Sequence, residues 1–343
     1  MIGRSVLSWI NGVNRKMSFL QKLLNHKKIC IQCHNNPDPD TVASAFGIQK
    51  FLNQNGIDSR IVYGGPQGII KANLKILIKE CGIKIEKVEK IEDDEFLVIV
   101  DGQKGQGNVF DFGRQDCIII DHHIRIVEEN EQYLVKSDYQ SCSTIVYELL
   151  LEEGYSVKED EELCVAMLYG LYTDTSSFMD MFYERDIAMK QDLLKDQPLF
   201  ERLVKSNMSF AELMIAADAM HNHYFDIDRR TAIVEVLKCD QAVLGIIGDF
   251  MIQVDSVLLS IVYTEAGDGY QISLRTCHEK LHANEIARFL CEGIGSGGGH
   301  DKKAGGRMLK GKLKEVYGTQ DIFGFINQRL EEYMERENIS FTM

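Results

Sequence analysis

The chain is poor in proline, since only 4 of its 343 residues are of this type. Disordered and collagen-like chains are enriched in proline, so neither class fits. Hydrophobic residues make up 45% and charged residues 26% of the sequence, as in ordinary folded domains. Because a domain averages about 150 residues, the length predicts two domains.

Uninterrupted hydrophobic runs of membrane-spanning length are also missing. The N-terminal apolar patch is broken by Asn11, Asn14, Arg15 and Lys16, so it forms neither a signal-peptide core nor a membrane span. We therefore expect a soluble, cytoplasmic protein with no membrane partner. The cysteines number nine, which is odd, and several lie within apolar runs. This pattern favours reduced core thiols over a disulfide framework.

The chain has fewer basic than acidic residues: 38 lysine and arginine residues against 52 aspartate and glutamate residues give a net charge of −14. Such a chain should repel duplex DNA, so a phosphate-bearing ligand needs local cations or a metal. The balance reverses in residues 301–314, called here the basic stretch, which either binds an anion or forms a solvated strand face. Its basic residues are Lys302, Lys303, Arg307, Lys310, Lys312 and Lys314.

Short β-branched runs alternate with helical patterns in the first half of the chain, which predicts an α/β domain with a parallel sheet. The predicted strands are 29–33, 60–63, 96–100 and 117–120, with helices at 41–52 and 69–80 between them. Helices are expected to dominate from 143 to 220. The pattern then predicts a second α/β unit, with strands at 231–236, 257–263 and 270–275, a helix at 284–290, a glycine-rich loop at 293–299 and a closing helix at 321–335.

Three short motifs match well-known sites but lack the structural context those sites require. Residues 30–34 (CIQCH) match a c-type haem attachment site, which needs export, and their alternation fits a strand. Residues 278–282 (HEKLH) match the zinc-protease pattern, yet Asn284 is the better helix N-cap, so a surface loop is expected. Residues 293–298 match the dinucleotide fingerprint but follow a predicted helix instead of a strand.

Polar residues gather where several elements of the first domain end. The segment 34–40 (HNNPDPD) follows the first predicted strand, while Asp101 and the triplet 121–123 (DHH) follow two others. Asp174 ends a predicted helix. Open α/β sheets bind ligands beyond the carboxyl ends of their strands, and a carboxylate placed after a buried strand needs compensation by a cation or hydrogen bonds. Taken singly, these residues could equally be ordinary turn residues, with Asp40 as an N-cap.

Taken together and in this order, the motifs resemble the DHH phosphoesterases, a family named for the triplet found here at 121–123. The segment 34–40 with Ser44 is similar to the first family motif, Asp101 to the second, the triplet to the third and Asp174 to the fourth. The C-terminal half resembles the DHH-associated domain. The matching segments there are SLR at 273–275, GGGH at 297–300 and AGG at 304–306.

The resemblance covers nearly the whole chain and implies a fold. We expect an α/β protein in which a parallel-sheet DHH domain faces a smaller C-terminal α/β domain across a cleft. The implied division is a DHH catalytic domain at 1–195, a helical linker at 196–222 and a DHH-associated, substrate-binding domain at 223–343.

The resemblance also implies a site with two metal ions. One ion would be held by His34, Asp38 and Asp101, and the other by Asp40, Asp101, His122 and Asp174, with Asp101 bridging them. Mixed imidazole and carboxylate ligands suit Mn²⁺, although Mg²⁺, Co²⁺ or Zn²⁺ would also be compatible. Asp121 is expected to orient His122 through a hydrogen bond, and His123 to face the substrate phosphate. The implied substrate-binding residues are Arg275, Gly297, Gly298, Gly299 and His300.

The implied activity is hydrolysis of short single-stranded oligoribonucleotides, of 3′-phosphoadenosine 5′-phosphate, or of both. We expect this branch because the sequence shows neither the membrane and sensor regions of cyclic-dinucleotide relatives nor extra nucleic-acid-binding domains. The alternatives are an exopolyphosphatase or pyrophosphatase, a cyclic- or linear-dinucleotide phosphodiesterase, and a catalytically silent nucleotide-binding module. A homodimer is a further expectation.

Overall fold

The computed structural model describes residues 18–66, 68–195, 197–237, 239 and 241–341. The chain forms two compact units, of which the first ends at Asn207 and the second begins at Met208. Within the described ranges, no helix is both long and apolar enough to cross a lipid bilayer. The interrupted N-terminal patch, from which we predicted that no signal peptide is present, lies outside the described residues.

The first unit is built around a six-stranded sheet whose neighbouring strands are all parallel. This sheet confirms the predicted parallel α/β domain. Its strands are β1 (Lys28–Cys33), β2 (Asp58–Tyr63), β3 (Ile85–Lys87), β4 (Phe96–Val100), β5 (Cys117–Asp121) and β6 (Tyr133–Val135). The helices of this unit are α1 (Pro39–Gln54), α2 (Ala72–Glu80), α3 (Cys142–Glu152), α4 (Glu161–Asp174), α5 (Glu184–Leu193) and α6 (Pro198–Val204).

The order of the strands in the first sheet locates its ligand crevice. The order is β3-β2-β1-β4-β5-β6, so the chain runs outward from β1 to β3 and then returns to place β4 on the other side of β1. The loops after β1 and β4 therefore leave the sheet in opposite directions. Open α/β sheets bind ligands at such a reversal, beyond the carboxyl ends of the strands. The topology thus places the expected ligand site after β1 and β4.

Strand β1 shows why the haem-like motif is part of the core. Side chains of a strand alternate between the two faces of the sheet. Ile29, Ile31 and Cys33 belong to the larger hydrophobic cluster, which also contains the helices, whereas Cys30 belongs to the smaller cluster. The predicted strand is therefore confirmed. Seven cysteines are buried as free thiols, as expected for a reduced core: Cys30, Cys33, Cys81, Cys117, Cys142, Cys164 and Cys291.

The second unit has its own six-stranded sheet, in the order β11-β12-β10-β9-β8-β7. All neighbouring pairs are antiparallel except β8 and β9, which are parallel. Its strands are β7 (Tyr224–Asp226), β8 (Thr231–Val236), β9 (Leu259–Ala266), β10 (Gly269–Thr276), β11 (Gly295–Gly299) and β12 (Lys303–Leu309). Its helices are α7 (Phe210–His221), α8 (Gln241–Met251), α9 (Ala283–Cys291), α10 (Lys310–Tyr317) and α11 (Ile322–Arg336).

Two local predictions for the second unit are wrong. The glycine-rich segment is a strand, β11, and not a loop, because Gly297 and Gly306 pair across β11 and β12 and a Cβ atom on Gly297 would collide with the backbone of Ala287. The N-cap of α9 is His282 and not Asn284, which lies inside the helix. The zinc-protease pattern therefore precedes α9 and does not present two histidines on one helical face.

Candidate metal centre

His34 and Asp38 lie at the junction between β1 and α1. Asp38 is the N-cap of α1, and its Oδ1 atom accepts hydrogen bonds from the backbone N–H groups of Asp40 (3.0 Å) and Thr41 (3.1 Å). Pro39 occupies the first turn, where its missing N–H costs nothing. The other oxygen of Asp38, Oδ2, lies 3.5 Å from Nε2 of His34. One carboxylate thus starts the helix and faces the imidazole, whereas our alternative had made Asp40 the N-cap.

Asp101 lies directly after β4 and between two histidines. Its Oδ2 atom is 3.6 Å from Nε2 of His34, and its Oδ1 atom is 3.2 Å from Nε2 of His122. The backbone of Asp101 is left-handed, with φ of 56°, and its N–H bonds the carbonyl of Ile120 at the end of β5 (2.9 Å). Aspartate tolerates this conformation better than most residues. The left-handed turn and this bond hold the side chain where each oxygen meets a different histidine.

Two further carboxylates surround His122. Oδ2 of Asp174, the last residue of α4, lies 3.4 Å from Nε2 of His122, and Oδ2 of Asp40 lies 3.9 Å from the same atom. Donor atoms of Asp40, Asp101 and His122 lie within 4.8 Å of one another, and so do those of His34, Asp38 and Asp101. Five of the six predicted ligands therefore form two groups that share Asp101, and the sixth, Asp174, lies beside His122.

The N-terminus of α3 holds Asp40 in place. Oδ1 of Asp40 accepts hydrogen bonds from the Ser141 hydroxyl (2.8 Å), the Ser143 backbone (2.9 Å) and the Ser143 hydroxyl, and Oδ2 accepts one from the backbone of Cys142 (2.7 Å). No sequence pattern pointed to these residues, because their partner Asp40 is 101 positions or more away along the chain. Since Oδ1 is fully engaged, Oδ2 is the oxygen of Asp40 that faces His122.

Negative charge exceeds positive charge in this buried region. Burial and the neighbouring Asp101 raise the pKa of Asp40 to about 6. Burial, followed by the charges of Asp40 and Asp38, raises the pKa of Asp174 well above its ordinary value. Burial alone would lower the pKa of His122, but Asp101 and Asp174 raise it well above its ordinary value. A bound cation would offset the mutual repulsion of Asp40, Asp101 and Asp174, and imidazole and carboxylate donors together suit a divalent metal ion.

The predicted hydrogen bond between Asp121 and His122 is wrong. Oδ1 of Asp121 lies 2.8 Å from Nδ1 of His123, while Nδ1 of His122 lies 3.3 Å from the carbonyl of Tyr139. The other oxygen of Asp121 accepts a hydrogen bond of 2.6 Å from the buried Gln103. Burial opposes ionisation of Asp121, but the bond to His123 lowers its pKa to about 2. Asp121 therefore fixes the second histidine of the triplet and not the first.

The second unit holds the predicted substrate-binding residues, and Arg275 among them is engaged in contacts within that unit. Nε of Arg275 donates to Oδ1 of Asp249 at 2.6 Å, and its Nη1 atom donates to the Ser273 hydroxyl at 3.0 Å. The residues of GGGH at 297–300 end β11 and begin the turn to β12. A phosphate that binds Arg275 would therefore share the guanidinium group with Asp249 of α8.

The basic stretch loses much of its local positive charge to acids that lie outside it. At least three of its six basic residues form ion pairs, because β9, the turn to β10 and helix α10 supply carboxylates. The pairs are Arg307–Asp268 (2.5 Å), Lys310–Glu265 (2.5 Å) and Lys312–Glu315 (2.9 Å). Lys303 and Arg307 lie in β12, whereas Lys310, Lys312 and Lys314 lie in α10, so the stretch is not a single solvated strand face.

Comparison with known proteins gives relatives that cover most of the chain. An uncharacterised protein of Methanocaldococcus jannaschii, MJ1633, is 28% identical over 320 residues, which cover 91% of this chain and 64% of that protein. The cyclic-di-AMP phosphodiesterase GdpP of Geobacillus thermodenitrificans is 25% identical over 303 residues, covering 82% of this chain and 44% of that protein. The chain thus spans less than two thirds of the length of these relatives.

The fold also matches a solved structure. The crystal structure of an exopolyphosphatase-related protein from Bacteroides fragilis aligns with a TM-score of 0.74 at 20% identity, covering 94% of this chain and 98% of that one. The model of the DHH family, N-terminal domain, matches residues 28–171, and that of the DHHA1 domain matches residues 229–328. Because both domains occur in this order and the site motifs meet at one edge of the sheet, the chain belongs to the DHH family.

Proposed function

We propose that the chain is a metal-dependent phosphoesterase that hydrolyses short single-stranded oligoribonucleotides, 3′-phosphoadenosine 5′-phosphate, or both. The observation that carries the proposal is the position of Asp101, whose two oxygens face two different histidines at 3.6 and 3.2 Å. A carboxylate so placed can serve two ions at once. Family membership supports the proposal, because the family match covers both domains.

The ligand assignment follows the two groups of donors. His34, Asp38 and Asp101 would hold one ion, and Asp101 with His122, Oδ2 of Asp40 and Asp174 would hold the other. Both groups offer only nitrogen and oxygen donors, which fits Mn²⁺ and also Mg²⁺ or Co²⁺. Two such ions, when bound, would activate a water for attack on phosphorus and offset charge on the attacked phosphate.

The protein's own residues would position the substrate phosphate. His123 is held by Asp121 at 2.8 Å, so one ring nitrogen is fixed and the orientation of the other is set. An imidazole held in this way can donate a hydrogen bond to a phosphate oxygen or to the leaving group. Because Asp121 is itself fixed by Gln103 at 2.6 Å, the His123 ring is already held in position before the substrate binds. We propose Arg275 and the GGGH segment as substrate contacts on the second unit.

Product analysis with several substrates tests this proposal. The purified chain, loaded with Mn²⁺, is incubated separately with di- to pentaribonucleotides, 3′-phosphoadenosine 5′-phosphate, pyrophosphate and polyphosphate. We expect mononucleotides from the oligoribonucleotides, or AMP and phosphate from the bisphosphate. Rapid hydrolysis of pyrophosphate or polyphosphate without release of mononucleotides would contradict the proposal and favour the pyrophosphatase alternative. Light scattering on the same sample tests the expected homodimer.

The similarity to GdpP favours a second candidate, a cyclic-dinucleotide phosphodiesterase. That protein is named for cyclic-di-AMP, and the alignment covers 82% of this chain. The two candidates differ in the specificity constant kcat/KM for cyclic di-AMP and for the linear dinucleotide pApA. A larger kcat/KM for pApA supports the oligoribonuclease, and a larger value for the cyclic substrate supports the second candidate. A silent binding module would hydrolyse neither substrate and would bind less than about one divalent ion per chain.

A further inference from the structure

The chain immediately after Asp174 has an unusual backbone. Ser176, Ser177 and Phe178 follow one another with φ of 50°, 64° and 64°, in the left-handed region. Residues with a Cβ atom rarely adopt this conformation, and almost never in succession. Where such strain persists, the surroundings enforce it, and it tends to occur at functional sites. The left-handed segment begins two residues after Asp174, the predicted metal ligand at the end of α4.

Hydrogen bonds close this left-handed turn from both ends. The N–H of Ser177 donates to the carbonyl of Tyr172 at 2.9 Å, and the N–H of Asp180 donates to the carbonyl of Thr175 at 3.0 Å. The hydroxyl of Ser176 also donates to Oδ2 of Asp180 at 2.8 Å. The turn is thus a fixed structure that sets the direction in which the chain leaves α4.

The direction set by the turn leaves two large apolar side chains in solvent. Met179 is 75% exposed and Phe182 is 60% exposed. The ring of Phe182 packs against that of Tyr183, with centroids 4.5 Å apart. The side-chain amide of Gln140 holds the backbone between them, because it accepts a hydrogen bond from the N–H of Phe182 at 2.8 Å and donates one to the carbonyl of Asp180. Both side chains are therefore displayed from an ordered backbone.

The same segment is tied to the metal centre on two sides. At its start, Asp174 lies 3.4 Å from His122. At its end, the hydroxyl of Tyr183 donates to the carbonyl of Ser137 at 3.2 Å, and the hydroxyl of Ser137 donates to the carbonyl of His123 at 3.0 Å. Residues 174–183 thus begin beside His122 and end at a residue that is linked to His123 through Ser137. Met179 and Phe182 lie within this segment.

We propose that Met179 and Phe182, called here the apolar rim, bind the nucleobase of a nucleotide whose phosphate occupies the metal centre. The inference rests on the proposed function and adds a specificity determinant to it. An aromatic face stacks on any base, whereas pyrophosphate and polyphosphate offer nothing apolar to contact. A thioether beside an aromatic ring adds a polarisable surface that adapts to bases of different size. The rim therefore selects substrates that carry a base, without selecting a particular base.

Substitution of Phe182 tests the rim when a substrate with bases is compared with one without. The Mn²⁺-loaded full chain is assayed with a diribonucleotide and with the abasic dinucleotide of the same backbone. We expect Phe182→Ala to raise KM for the diribonucleotide about tenfold or more, with kcat changed less than about twofold, and to leave KM for the abasic substrate unchanged. Phe182→Trp should retain the wild-type KM. Met179→Ala should change KM in the same direction as Phe182→Ala.

The matched control is Phe210→Ala, because Phe210 lies on α7 of the second unit and is 76% exposed. It should leave both KM values unchanged. If Phe182→Ala raises KM equally for the two substrates, or raises it for neither, the apolar rim does not bind the nucleobase. If the wild-type chain hydrolyses neither substrate, the proposed function fails, and calorimetric binding of 5′-AMP and ribose 5-phosphate decides on the rim alone. Equal affinity for the two ligands in the wild-type chain would then exclude it.

Discussion

The side-chain amide of Gln103 donates a hydrogen bond of 2.6 Å to Oδ2 of Asp121, the carboxylate whose other oxygen faces Nδ1 of His123. The amide oxygen of Gln103 accepts from the backbone of Ile126 at 2.8 Å. Gln103 is fully buried, so water does not compete for these bonds. This one side chain therefore links the loop after Asp101 to the loop that carries the DHH triplet.

We predict that Gln103→Leu lowers kcat by about tenfold or more, the loss typical when a residue that orients an active-site histidine is removed. The ligands are unchanged, so metal content should stay at the wild-type level. The assays are steady-state kinetics and elemental analysis of the same preparation. Gln49→Leu is the matched control, since Gln49 bonds the Ser59 carbonyl away from the triplet. Loss of metal together with activity in Gln103→Leu would show instead that this residue supports the fold of the metal centre.

Asp101 should be indispensable for every substrate, because it is the one carboxylate common to both donor groups. Asp101→Asn is the sharpest variant, since asparagine also tolerates the left-handed backbone found here, with φ of 56°, and only the charge changes. Asp101→Ala removes the charge and adds backbone strain. We expect no measurable turnover in either variant and fewer divalent ions per chain by elemental analysis.

The two histidines of the zinc-protease pattern, His278 and His282, provide the controls for the Asp101 variants. His278→Ala and His282→Ala should leave activity and metal content near wild type, because His282 forms an ion pair with Asp301 that is largely exposed, and such pairs contribute little. An essential role for His278 and His282 together with a dispensable Asp101 would show that the metal centre is assigned to the wrong residues.

Local sequence patterns predicted the parts of the fold that are buried and continuous. Strands β1, β4 and β5 were recognisable because central parallel strands are hydrophobic on both faces, and their common orientation brought His34 and Asp101 together. The edge strands β3 and β6 were missed, since each has three residues and no buried run. The glycine-rich β11 was also missed, because glycine is unfavourable in strands and signals a loop.

The supporting residues of the metal centre could not be predicted in the same way. Gln103 and Ser143 are ordinary polar residues in the sequence, and their partners are set by tertiary packing. Ser143 contacts Asp40 across 103 positions, and Gln103 contacts Asp121 across 18. A motif identifies the residues that meet the metal or substrate, but the groups that orient them depend on which element packs alongside.

The ion pair between Arg275 and Asp249 makes the role of Arg275 testable. If Arg275 binds the substrate phosphate, Arg275→Ala should raise KM for a nucleotide about tenfold or more, because hydrogen bonds between charged groups are the strong ones. KM for a small artificial phosphodiester should change less. Asp249→Asn releases the guanidinium from its partner, so KM should stay equal or fall. If Arg275 only clamps α8 onto β10, both variants should lower the melting temperature and neither should alter KM.

Metal binding should release protons, and more of them as the pH falls. Neighbouring carboxylates raise the pKa of His34 and of His122 above the ordinary value, despite the opposing effect of burial. Without metal these rings therefore keep their protons to a higher pH, whereas coordination needs a neutral nitrogen. Below the raised pKa each ion must displace a proton, so the affinity for Mn²⁺ should decrease steadily with decreasing pH. Above it the dependence should level off.

Titration calorimetry in two buffers with different ionisation enthalpies counts the released protons directly. We expect a positive release for the wild-type chain at pH 6 to 7, an interval chosen to bracket the ordinary histidine pKa of about 6.5. His122→Asn should release fewer protons and bind less metal, since it removes one of the two imidazoles whose pKa is raised. The control is His223→Asn, because His223 is exposed, bonds the backbone of Met220 and lies in the second unit. A wild-type affinity for Mn²⁺ that is independent of pH over this interval would mean that His34 and His122 are not the groups that coordinate the metal.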